Sequence, residues 1–355
     1  MTEMKIVVDD KIPFIQPALR QVAEEVVSLP GARIAAKDVC DADILIVRTR
    51  TCCNQALLEG SKVRLVLTAT IGYDHIDTAY MRQAGIEWHN CPGCNANSVA
   101  QYVHACLLLL QDERGLCLSE TTLGIVGMGH VGRAVLEWVS RLRLKHILVC
   151  DPPLEHDGKA APQGCEWSSM AQLQSEADVL TLHVPLTREE PYPTCHLIDA
   201  AFLSGLVRPC TIINAARGGV VDEQALTAAM RQGKVANAII DTWENEPLLS
   251  RTLLNNVYIG TPHIAGYSAD GKANASRTCL EAVCRHLGRP VPFAVEPPAL
   301  PSDYKGYCPE APHGSLSEKG QPLYFYNPQR DSMLLKACPD AFERLRGEYP
   351  LRRET

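Results

Sequence analysis

Three polar side chains suited to oxidising a hydroxy acid each follow a short apolar run of the sequence. Arg217 comes after TIIN, Glu246 after AIID and His263 after VYIGT. Such runs are typical of buried parallel strands, and ligands of open α/β sheets bind beyond the carboxyl ends of the strands. An imidazole can take a hydroxyl proton, a carboxylate can orient that imidazole, and an arginine fork can bind a substrate carboxylate. We therefore expect these three residues to form one catalytic set.

A glycine-rich motif, Gly127-Met-Gly-His-Val-Gly132, follows the apolar run TLGIV and precedes Val131–Leu142, which has helical spacing. In that setting the glycines allow a tight turn and a close approach to a pyrophosphate, and the helix N-terminus binds its charge. Asp151, at the end of the next apolar run, can bind an adenosine ribose and repel a 2′-phosphate, which favours NAD over NADP. The alternative is a glycine-rich turn with no ligand. The predicted cofactor residues of this motif are Gly127, Gly129, His130, Val131, Gly132 and Asp151.

The first part of the chain predicts a small doubly wound, flavodoxin-like α/β domain. Lys5–Val8, Ile44–Val47 and Arg64–Leu67 are predicted to be buried parallel strands, and Pro17–Leu29 has the apolar spacing of a helix. A later helical stretch, Asp270–Leu287, is expected to pack back on this domain. The domain would then be discontinuous in sequence.

The middle of the chain predicts a Rossmann domain. A helix is expected at Asn97–Leu110, followed by six parallel strands that alternate with helices. The predicted strands are Thr122–Val126, His146–Cys150, Asp178–His183, Thr211–Asn214, Ala238–Asp241 and Val257–Thr261. The expected domains are 1–97 with 267–287 for substrate binding, 98–266 for NAD binding, and 288–355 as a small C-terminal α+β segment.

The C-terminal segment combines a Pro-rich stretch, 288–320, with a short tail. The Pro-rich stretch is predicted to be an extended linker. Within the tail, Leu323–Tyr326 (LYFY) is predicted to be a strand and Asp340–Tyr349 to be amphipathic. A tail of this size cannot bury a core by itself, so it must pack on the body or on another subunit.

Composition limits the classes of partner. The 355 residues carry 34 basic and 41 acidic side chains, a net charge of −7, without a long basic run, so nucleic acid is a poor candidate. The longest purely apolar run, Ala105–Leu110, is far too short for a membrane span, and the N-terminal residues do not resemble a secretory signal. An odd number of cysteines, 15, favours reduced thiols. We expect a cytoplasmic protein.

Cys91-Pro-Gly-Cys94, with His89 close by, is an alternative source of chemistry as a metal or redox site. The sequence has no second C-x-x-C or H-x₃-H to complete a structural zinc site, and Pro-Gly is typical of a turn. We expect no metal.

Five motifs in one order carry a family resemblance. GMGHVG, HVPLT, NAARGG, DTWENEP and TPHIAGY make the chain resemble the D-isomer-specific 2-hydroxyacid dehydrogenases over roughly Lys5–Leu287. The resemblance implies an NAD-dependent enzyme with His263 as general base, Glu246 as its partner and Arg217 as substrate anchor. It also implies that the nicotinamide side of the cofactor is lined by Val184, Ala215, Ala216, Arg217, Asp241, His263 and Gly266.

Other stretches narrow the resemblance to a branch that acts on a small phosphorylated hydroxy acid and forms homodimers through an extra C-terminal domain. They are KIVVDDKIPF, TATIGYDHID, NCPGCNANSVAQY, HIAGYSADGKA and the tail RDSMLLKACPDAFERLRGEYPLRRE. Arg48 and Arg50 either add phosphate affinity or are ordinary surface charges. The implied substrate contacts are Thr49, Thr70 and Tyr267, to which the sequence adds Arg48 and Gly72 from the same two loops.

Two other functions remain open on the sequence. The same chemistry fits another hydroxy acid, such as phosphoglycerate or glycerate, or the reduction of a glyoxylate-type acid. A non-catalytic protein that senses NAD could also use this fold, because a fold alone does not fix a function.

Overall fold

The computed structural model describes residues 4–300, 302, 316–317 and 321–355. The chain forms two compact units. The first unit comprises Met1–Asn95 and Ser268–Ala299, and the second comprises Ala96–Tyr267 and Leu300–Thr355. Among the described residues, no helix is both long and apolar enough to cross a membrane.

Each unit contains one parallel sheet. In chain order the strands of the described residues are β1 (Lys5–Asp9), β2 (Glu25–Leu29), β3 (Ile44–Val47), β4 (Leu65–Thr68), β5 (Glu87–His89), β6 (Thr122–Val126), β7 (His146–Cys150), β8 (Glu166–Trp167), β9 (Val179–Leu182), β10 (Cys210–Asn214), β11 (Val235–Ile240) and β12 (Ile259–Gly260).

Helices alternate with most of these strands. In chain order the α-helices are α1 (Gln16–Leu19), α2 (Ala36–Val39), α3 (Gln55–Leu58), α4 (Thr78–Ala84), α5 (Ala96–Arg114), α6 (His130–Val139), α7 (Pro152–His156), α8 (Met170–Glu176), α9 (Ala200–Ser204), α10 (Glu223–Arg231), α11 (Arg251–Asn256), α12 (Ala269–His286), α13 (Pro322–Phe325), α14 (Pro328–Ala337) and α15 (Phe342–Gly347). Short 3₁₀ turns lie at Gly31–Arg33, Leu118–Glu120, Ser140–Leu142, Gly218–Val220 and Pro339–Ala341.

The sheet of the first unit has the order β2-β1-β3-β4-β5, and all its strands are parallel. This is the flavodoxin-like order, so the predicted parallel sheet is confirmed. Side chains alternate between its two faces: Ile6 packs in one apolar cluster and Val7 in another. The late helix α12 contributes Leu280 and Val283 to the cluster that holds Ile6.

The helix predicted at Pro17–Leu29 is wrong beyond Leu19. Helix α1 ends at Leu19, and Glu25–Leu29 forms the edge strand β2, in which Val27 pairs with Val7. Apolar residues in that stretch fit a helical period and a strand equally well, and pairing with β1 decides between them. Strand β5 was not predicted, because three residues are too few to show the alternation of apolar and polar side chains that is typical of a strand.

The sheet of the second unit has the order β12-β11-β10-β9-β6-β7-β8, again entirely parallel. It is the Rossmann order with one more strand at the edge of β11. The predicted six strands are one too few, because the two-residue edge strand Glu166–Trp167 was missed. Helix α5, predicted at Asn97–Leu110, is longer and is buried along one cluster of the core.

The described tail packs on the second unit. Of Leu323–Tyr326, predicted as a strand, the first three residues lie in helix α13, which has Pro322 in its first turn and Leu323 in the core. Tyr326 follows the helix as its C-cap. Phe342 of α15 is also buried in a core cluster of this unit. The described tail residues contain helices and no strand, so the α+β prediction is wrong for them. Of the predicted Pro-rich linker, 301, 303–315 and 318–320 lie outside the described residues.

Candidate active site

Asp241 fixes the loop that follows strand β12. It comes directly after β11 and is buried, and its carboxylate accepts hydrogen bonds from the Thr261 hydroxyl at 2.6 Å, the Ile264 amide at 2.8 Å and the Ala265 amide at 3.0 Å. The Tyr102 hydroxyl in turn contacts Thr261 Oγ1 at 2.9 Å. Burial raises the pKa of Asp241, while these donors favour its charged form. Both ends of the His263 loop are thereby tied to one carboxylate.

His263 and Glu246 form a hydrogen-bonded pair. Nδ1 of His263 lies 3.0 Å from Oε1 and 2.8 Å from Oε2 of Glu246, and the Trp243 amide donates to Oε1 at 3.0 Å. Because an ionised carboxylate can only accept, Nδ1 carries a proton and Nε2 remains as the acceptor of the neutral ring. The backbone of His263 is left-handed, with φ of 56°. Such a conformation in a non-glycine residue at a polar site indicates a functional constraint.

The carboxyl of Glu246 stays ionised despite its environment. Burial by itself would raise its pKa, but the hydrogen bond and charge of His263, the Trp243 amide and the charge of Arg346 together hold the pKa below its usual value. The pair therefore has the arrangement of a general base with an orienting, charge-stabilising partner.

Arg217 follows β10, the strand adjacent to β11 in the sheet. Asn214 shapes its turn: the side-chain amide donates to the Arg217 carbonyl at 3.0 Å and the side-chain oxygen accepts from the Ala216 amide at 3.1 Å. The next residue must be small, because a Cβ on Gly218 would collide with the backbone of Trp243. Arg217, Glu246 and His263 thus follow three neighbouring strands, β10, β11 and β12, of one sheet.

The glycine motif has the geometry of a phosphate-binding turn. Gly127 has φ of 92°, and a Cβ there would lie 2.6 Å from the His183 carbonyl oxygen. A Cβ on Gly132 would overlap the Gly127 carbonyl, whereas Gly129 is exposed with open space beside it. Asp151 accepts from the Met128 amide at 2.7 Å and so ties the turn to the end of β7. A pyrophosphate can approach at Gly129, which is the fit that NAD requires.

The other predicted cofactor residues lie around the same sheet edge. His130 and Val131 begin helix α6, and Val184 follows β9 with a methyl group 2.9 Å from the position of a Gly127 Cβ. Ala215 and Gly266 are half-buried in the loops after β10 and β12. Asp241 has a structural role besides its predicted one, because its carboxylate accepts three hydrogen bonds from the chain. Its contact with the cofactor stays a prediction.

The predicted substrate residues of the first unit follow β3 and β4. Thr70 donates to the Gly72 carbonyl at 2.8 Å, and its hydroxyl lies 2.7 Å from that of Thr68. Arg48 donates through Nη1 to the Lys11 carbonyl at 3.2 Å. Its Nε is buried and, within the described part of the chain, has no hydrogen-bond partner. One donor of this guanidinium is therefore without a protein partner in the described chain.

Tyr267 and the tail meet in the second unit. The amide of Tyr267 donates to the Ile264 carbonyl at 2.9 Å, and its ring packs edge to face on that of Tyr349 with centroids 6.2 Å apart. Two tail residues at this site were missed by sequence reasoning: Arg346, beside Glu246, and Arg352, beneath the His263 loop. The tail stretch that resembles other family members contains both, but nothing in the stretch assigns them a role.

The C-x-x-C segment does not form a metal site among the described residues. Cys91 is buried, and its Sγ lies 3.6 Å from Cys279 Sγ and 3.4 Å from the Thr68 carbonyl. The hydrogen bond to Cys279, together with burial, raises the pKa of Cys91 far above the usual range, so the thiol is inert near neutral pH. The described residues hold no cluster of three or more His, Cys, Asp or Glu able to bind a metal ion.

Fold and site together define an α/β dehydrogenase of the hydroxy-acid type. A family model described as "D-isomer specific 2-hydroxyacid dehydrogenase, NAD binding domain" matches residues 100–265. That range contains the glycine motif, Arg217, Glu246 and His263. The chain belongs to the D-isomer-specific 2-hydroxyacid dehydrogenase family, as its motifs predicted. NAD as cofactor agrees with the geometry of the glycine motif.

Within the family, the chain is similar along nearly its whole length to proteins of one name. Erythronate-4-phosphate dehydrogenase of Bacteroides fragilis is 46% identical over 354 residues, which are 99% of this chain and 97% of that protein. The protein of the same name from Escherichia coli O157:H7 is 38% identical over 357 residues, 99% of this chain and 92% of that protein.

Solved structures agree on the fold. D-lactate dehydrogenase of Aquifex aeolicus, complexed with NAD and lactic acid, matches with a TM-score of 0.65 and 25% identity over 80% of this chain and 95% of that chain. NAD-dependent formate dehydrogenase of Staphylococcus aureus, with NAD bound, matches with a TM-score of 0.65 and 22% identity over 80% of this chain and 96% of that chain.

Proposed function

We propose that this protein oxidises 4-phospho-D-erythronate to 3-hydroxy-2-oxo-4-phosphobutanoate with NAD, in pyridoxal 5′-phosphate (vitamin B6) biosynthesis. The observation that carries the chemistry is the hydrogen bond of 2.8 Å between His263 Nδ1 and Glu246 Oε2 beyond the carboxyl end of the sheet. The choice of substrate is supported by the relatives named erythronate-4-phosphate dehydrogenase, which match along 99% of this chain.

The roles of the three catalytic residues follow from their chemistry. Arg217 binds the substrate carboxylate, for which its planar fork is suited. His263 takes the C2 hydroxyl proton at Nε2, because Nδ1 is already committed to Glu246. Glu246 stabilises the imidazolium that forms. A bound NAD would supply the acceptor for the hydride that leaves C2 as the carbonyl is formed.

The glycine motif and Asp151 would hold the adenosine half of NAD. Asp151 accepts amide hydrogen bonds from Met128 at 2.7 Å and Leu154 at 3.1 Å, one on each carboxylate oxygen. Each oxygen has a second lone pair, so the side chain can still accept from a ribose hydroxyl. Its negative charge would repel the 2′-phosphate of NADP. Val184, Ala215, Ala216 and Gly266 would line the nicotinamide side.

The phosphorylated end of the substrate would be bound by residues of the first unit, and Tyr267 is a separate proposed substrate contact in the second unit. Arg48 supplies a cation with a buried, unpartnered Nε in the described chain. Thr49, next to Arg48 in the loop after β3, is exposed, and Thr70, in the loop after β4, is half-buried. Each residue carries a hydroxyl group. The Thr70 hydroxyl donates to the Gly72 carbonyl at 2.8 Å, so it would exchange that bond to donate to a phosphate. Arginine and hydroxyl donors are the groups that bind phosphate in proteins.

We also propose that the enzyme is a cytoplasmic homodimer that associates through its C-terminal segment. Helix α14 exposes two large apolar side chains, Met333 at 66% and Leu334 at 57%. A second copy of the chain would remove that apolar surface from water. Replacing both residues with glutamate should convert the dimer to a monomer in sedimentation experiments, and an unchanged mass would contradict this contact.

A substrate panel tests the proposed activity. Purified protein is mixed with NAD⁺ and 4-phospho-D-erythronate, with a 2-oxo acid present to reoxidise retained NADH, and the 2-oxo product is measured. Parallel reactions contain 3-phosphoglycerate, D-glycerate or D-lactate, and His263→Gln serves as the inactive control. Turnover only with phosphoerythronate is expected. Turnover only with another acid would keep the family chemistry and overturn the substrate. Silence with all acids, together with intact NADH binding, would favour an NAD-sensing protein.

A further inference from the structure

The C-terminal tail reaches the catalytic pair. Arg346, on helix α15, places Nη1 3.7 Å from Oε2 of Glu246, the same oxygen that lies 2.8 Å from Nδ1 of His263. Both side chains of this contact are largely buried, with 18% of Arg346 and 19% of Glu246 exposed. The Glu246 carboxylate therefore lies between an imidazole from one loop and a guanidinium from the tail. At such a distance and burial the charge of the guanidinium is only weakly screened by water.

A second tail arginine fixes this arrangement. Arg352 is buried, and its guanidinium lies 3.9 Å from the centre of the Tyr326 ring. Its donors bond to five acceptors of the second unit: Gln101 Oε1 at 2.8 Å and the carbonyls of Ser98 at 3.0 Å, Ile264 at 3.2 Å, Ala265 at 2.6 Å and Tyr267 at 2.6 Å. Three of those carbonyls follow His263 in the chain. The tail is thus bonded through Arg352 to the loop of His263, and through Arg346 it contacts Glu246, the partner of that histidine.

The groups around the pair are mostly acidic. Glu246 lies between His263, on the loop after β12, and Arg346, on α15. Burial raises the pKa of Glu223 on α10, and the charges of Glu244 and Glu246 act in the same direction. Asp241, at the end of β11, interacts with the charge of His263. Acidic neighbours favour a bound proton on the imidazole, whereas a general base must be unprotonated to act. A cation among them opposes that tendency.

We propose that Arg346 is a positioning residue for the Glu246–His263 pair: its charge stabilises the ionised carboxylate and lowers the affinity of the pair for a proton. This rests on the proposed function, in which His263 accepts the hydroxyl proton. The C-terminal segment is then part of the catalytic centre as well as a surface for association. Arg346 acts through Glu246 and need not touch the substrate.

Removing the charge has a predictable sign. Arg346 is one of the causes that keep the pKa of Glu246 low, after burial, which opposes it, and after His263 and the Trp243 amide, which act in the same direction. Without the guanidinium, the pair binds its proton more tightly. The acidic limb of the pH profile of kcat/KM, which reports the pair as a unit, then moves to higher pH. A purely structural role of Arg346 would lower activity without moving that limb.

The test compares four full-length proteins with NAD⁺ and 4-phospho-D-erythronate: wild type, Arg346→Met, Arg346→Lys and Arg344→Met. Arg344 is the matched control, because it is an exposed arginine of the same helix. In Arg346→Met we expect the acidic limb to rise by about half a pH unit or more. Arg346→Lys should restore the limb most of the way, and Arg344→Met should leave it unchanged. An unmoved limb in Arg346→Met, or a lysine variant that behaves like methionine, would overturn the proposal.

A second readout separates this proposal from the proposed function. In full-length protein saturated with NADH, the titration of the pair is followed by the ring resonances of His263, assigned by their loss in His263→Gln. The midpoint should rise in Arg346→Met relative to wild type even if phosphoerythronate is not a substrate, and an unmoved midpoint would overturn the proposal. Should Arg346→Met fail to fold, as judged by NADH binding, Arg346→Gln removes the same charge and is used in both experiments.

Discussion

The acid–base residues at the carboxyl end of the second unit's sheet and Arg48 in the first unit differ in how their polar atoms are satisfied. In the second unit, Asp241 accepts three hydrogen bonds and Glu246 is bonded to His263 and to the Trp243 amide, all from within that unit. In the first unit, Arg48 has a buried Nε with no partner in the described chain. The acid–base residues are therefore held in place before any ligand binds, whereas the first unit presents a donor that a ligand can satisfy.

The difference separates two kinds of effect. Preorganised groups lower the barrier of the chemical step, because no reorganisation is needed when charge develops. A buried donor without a partner is costly, so its loss or its satisfaction changes the affinity for a ligand. Substitutions in the second unit should therefore lower kcat, and substitutions at Arg48 should mainly raise KM.

The largest effect is expected at His263. Replacing it with glutamine removes the base, while Asp241 still holds the loop after β12 in place. We therefore expect kcat to fall by about 10²–10⁴-fold. Cofactor affinity should stay near that of wild type. Single-turnover product formation and NADH titration measure the two quantities. His146→Gln, which alters an exposed histidine of the same unit, is the control. Near-normal turnover of His263→Gln would remove the basis for the contrast between the units.

The next effect is expected at Arg352. Arg352→Met removes the donors to five acceptors, three of them carbonyls of the His263 loop, and should lower the free energy of unfolding by about 3 kcal/mol or more. The variant that remains folded should have reduced kcat, because the loop is no longer held from below. Denaturant unfolding and steady-state kinetics check both results, with Arg344→Met as control. Full stability with normal kcat would show that the Asp241 contacts suffice to hold the loop.

A smaller, differently placed effect is expected at Arg48. Arg48→Met should raise KM for the phosphorylated substrate by about 10–100-fold, because a charge-assisted hydrogen bond is lost, and should change kcat little. The exposed Arg64, which precedes β4, is the control in Arg64→Met. Measuring the same KM change with an unphosphorylated acid such as D-glycerate shows whether Arg48 contacts the phosphate. An equal change for both acids would mean that Arg48 does not bind the phosphate.

The sequence predicted those parts of the molecule whose signal is local. The glycine motif lies between a strand and a helix, and Arg217, Glu246 and His263 each follow a recognisable strand. Strand β2 was missed because its pairing with β1, and not its own period, decides its conformation. The tail arginines were missed for a related reason: Arg352 bonds to Ser98, 254 residues away, and no spacing within the tail indicates that contact. Contacts between distant segments decide both cases.

The smallest effect is expected at Asp331 in the tail, where it tests whether a buried carboxylate lowers the free energy of unfolding. Asp331, on α14, accepts a hydrogen bond from the Tyr349 hydroxyl at 3.1 Å, and burial raises its pKa to about 6. An unfolded aspartate has a pKa of about 3.9. The folded state therefore binds the proton more tightly, so wild-type stability is lost as pH rises from about 4 to about 6, and the penalty is complete at pH 7.

Asp331→Asn keeps an acceptor for Tyr349 and removes the charge. At pH 7 it should raise the free energy of unfolding by on the order of 1–2 kcal/mol relative to wild type, and the gain should vanish near about pH 3, where the wild-type carboxyl is largely protonated in both states. Denaturant unfolding at the two pH values measures the difference, with Asp112→Asn, on the exposed side of α5, as control. A gain that persists at the lower pH would assign the effect to packing. A gain confined to neutral pH would show that the tail, unlike the Glu246–His263 pair, carries a buried charge that its neighbours do not fully compensate.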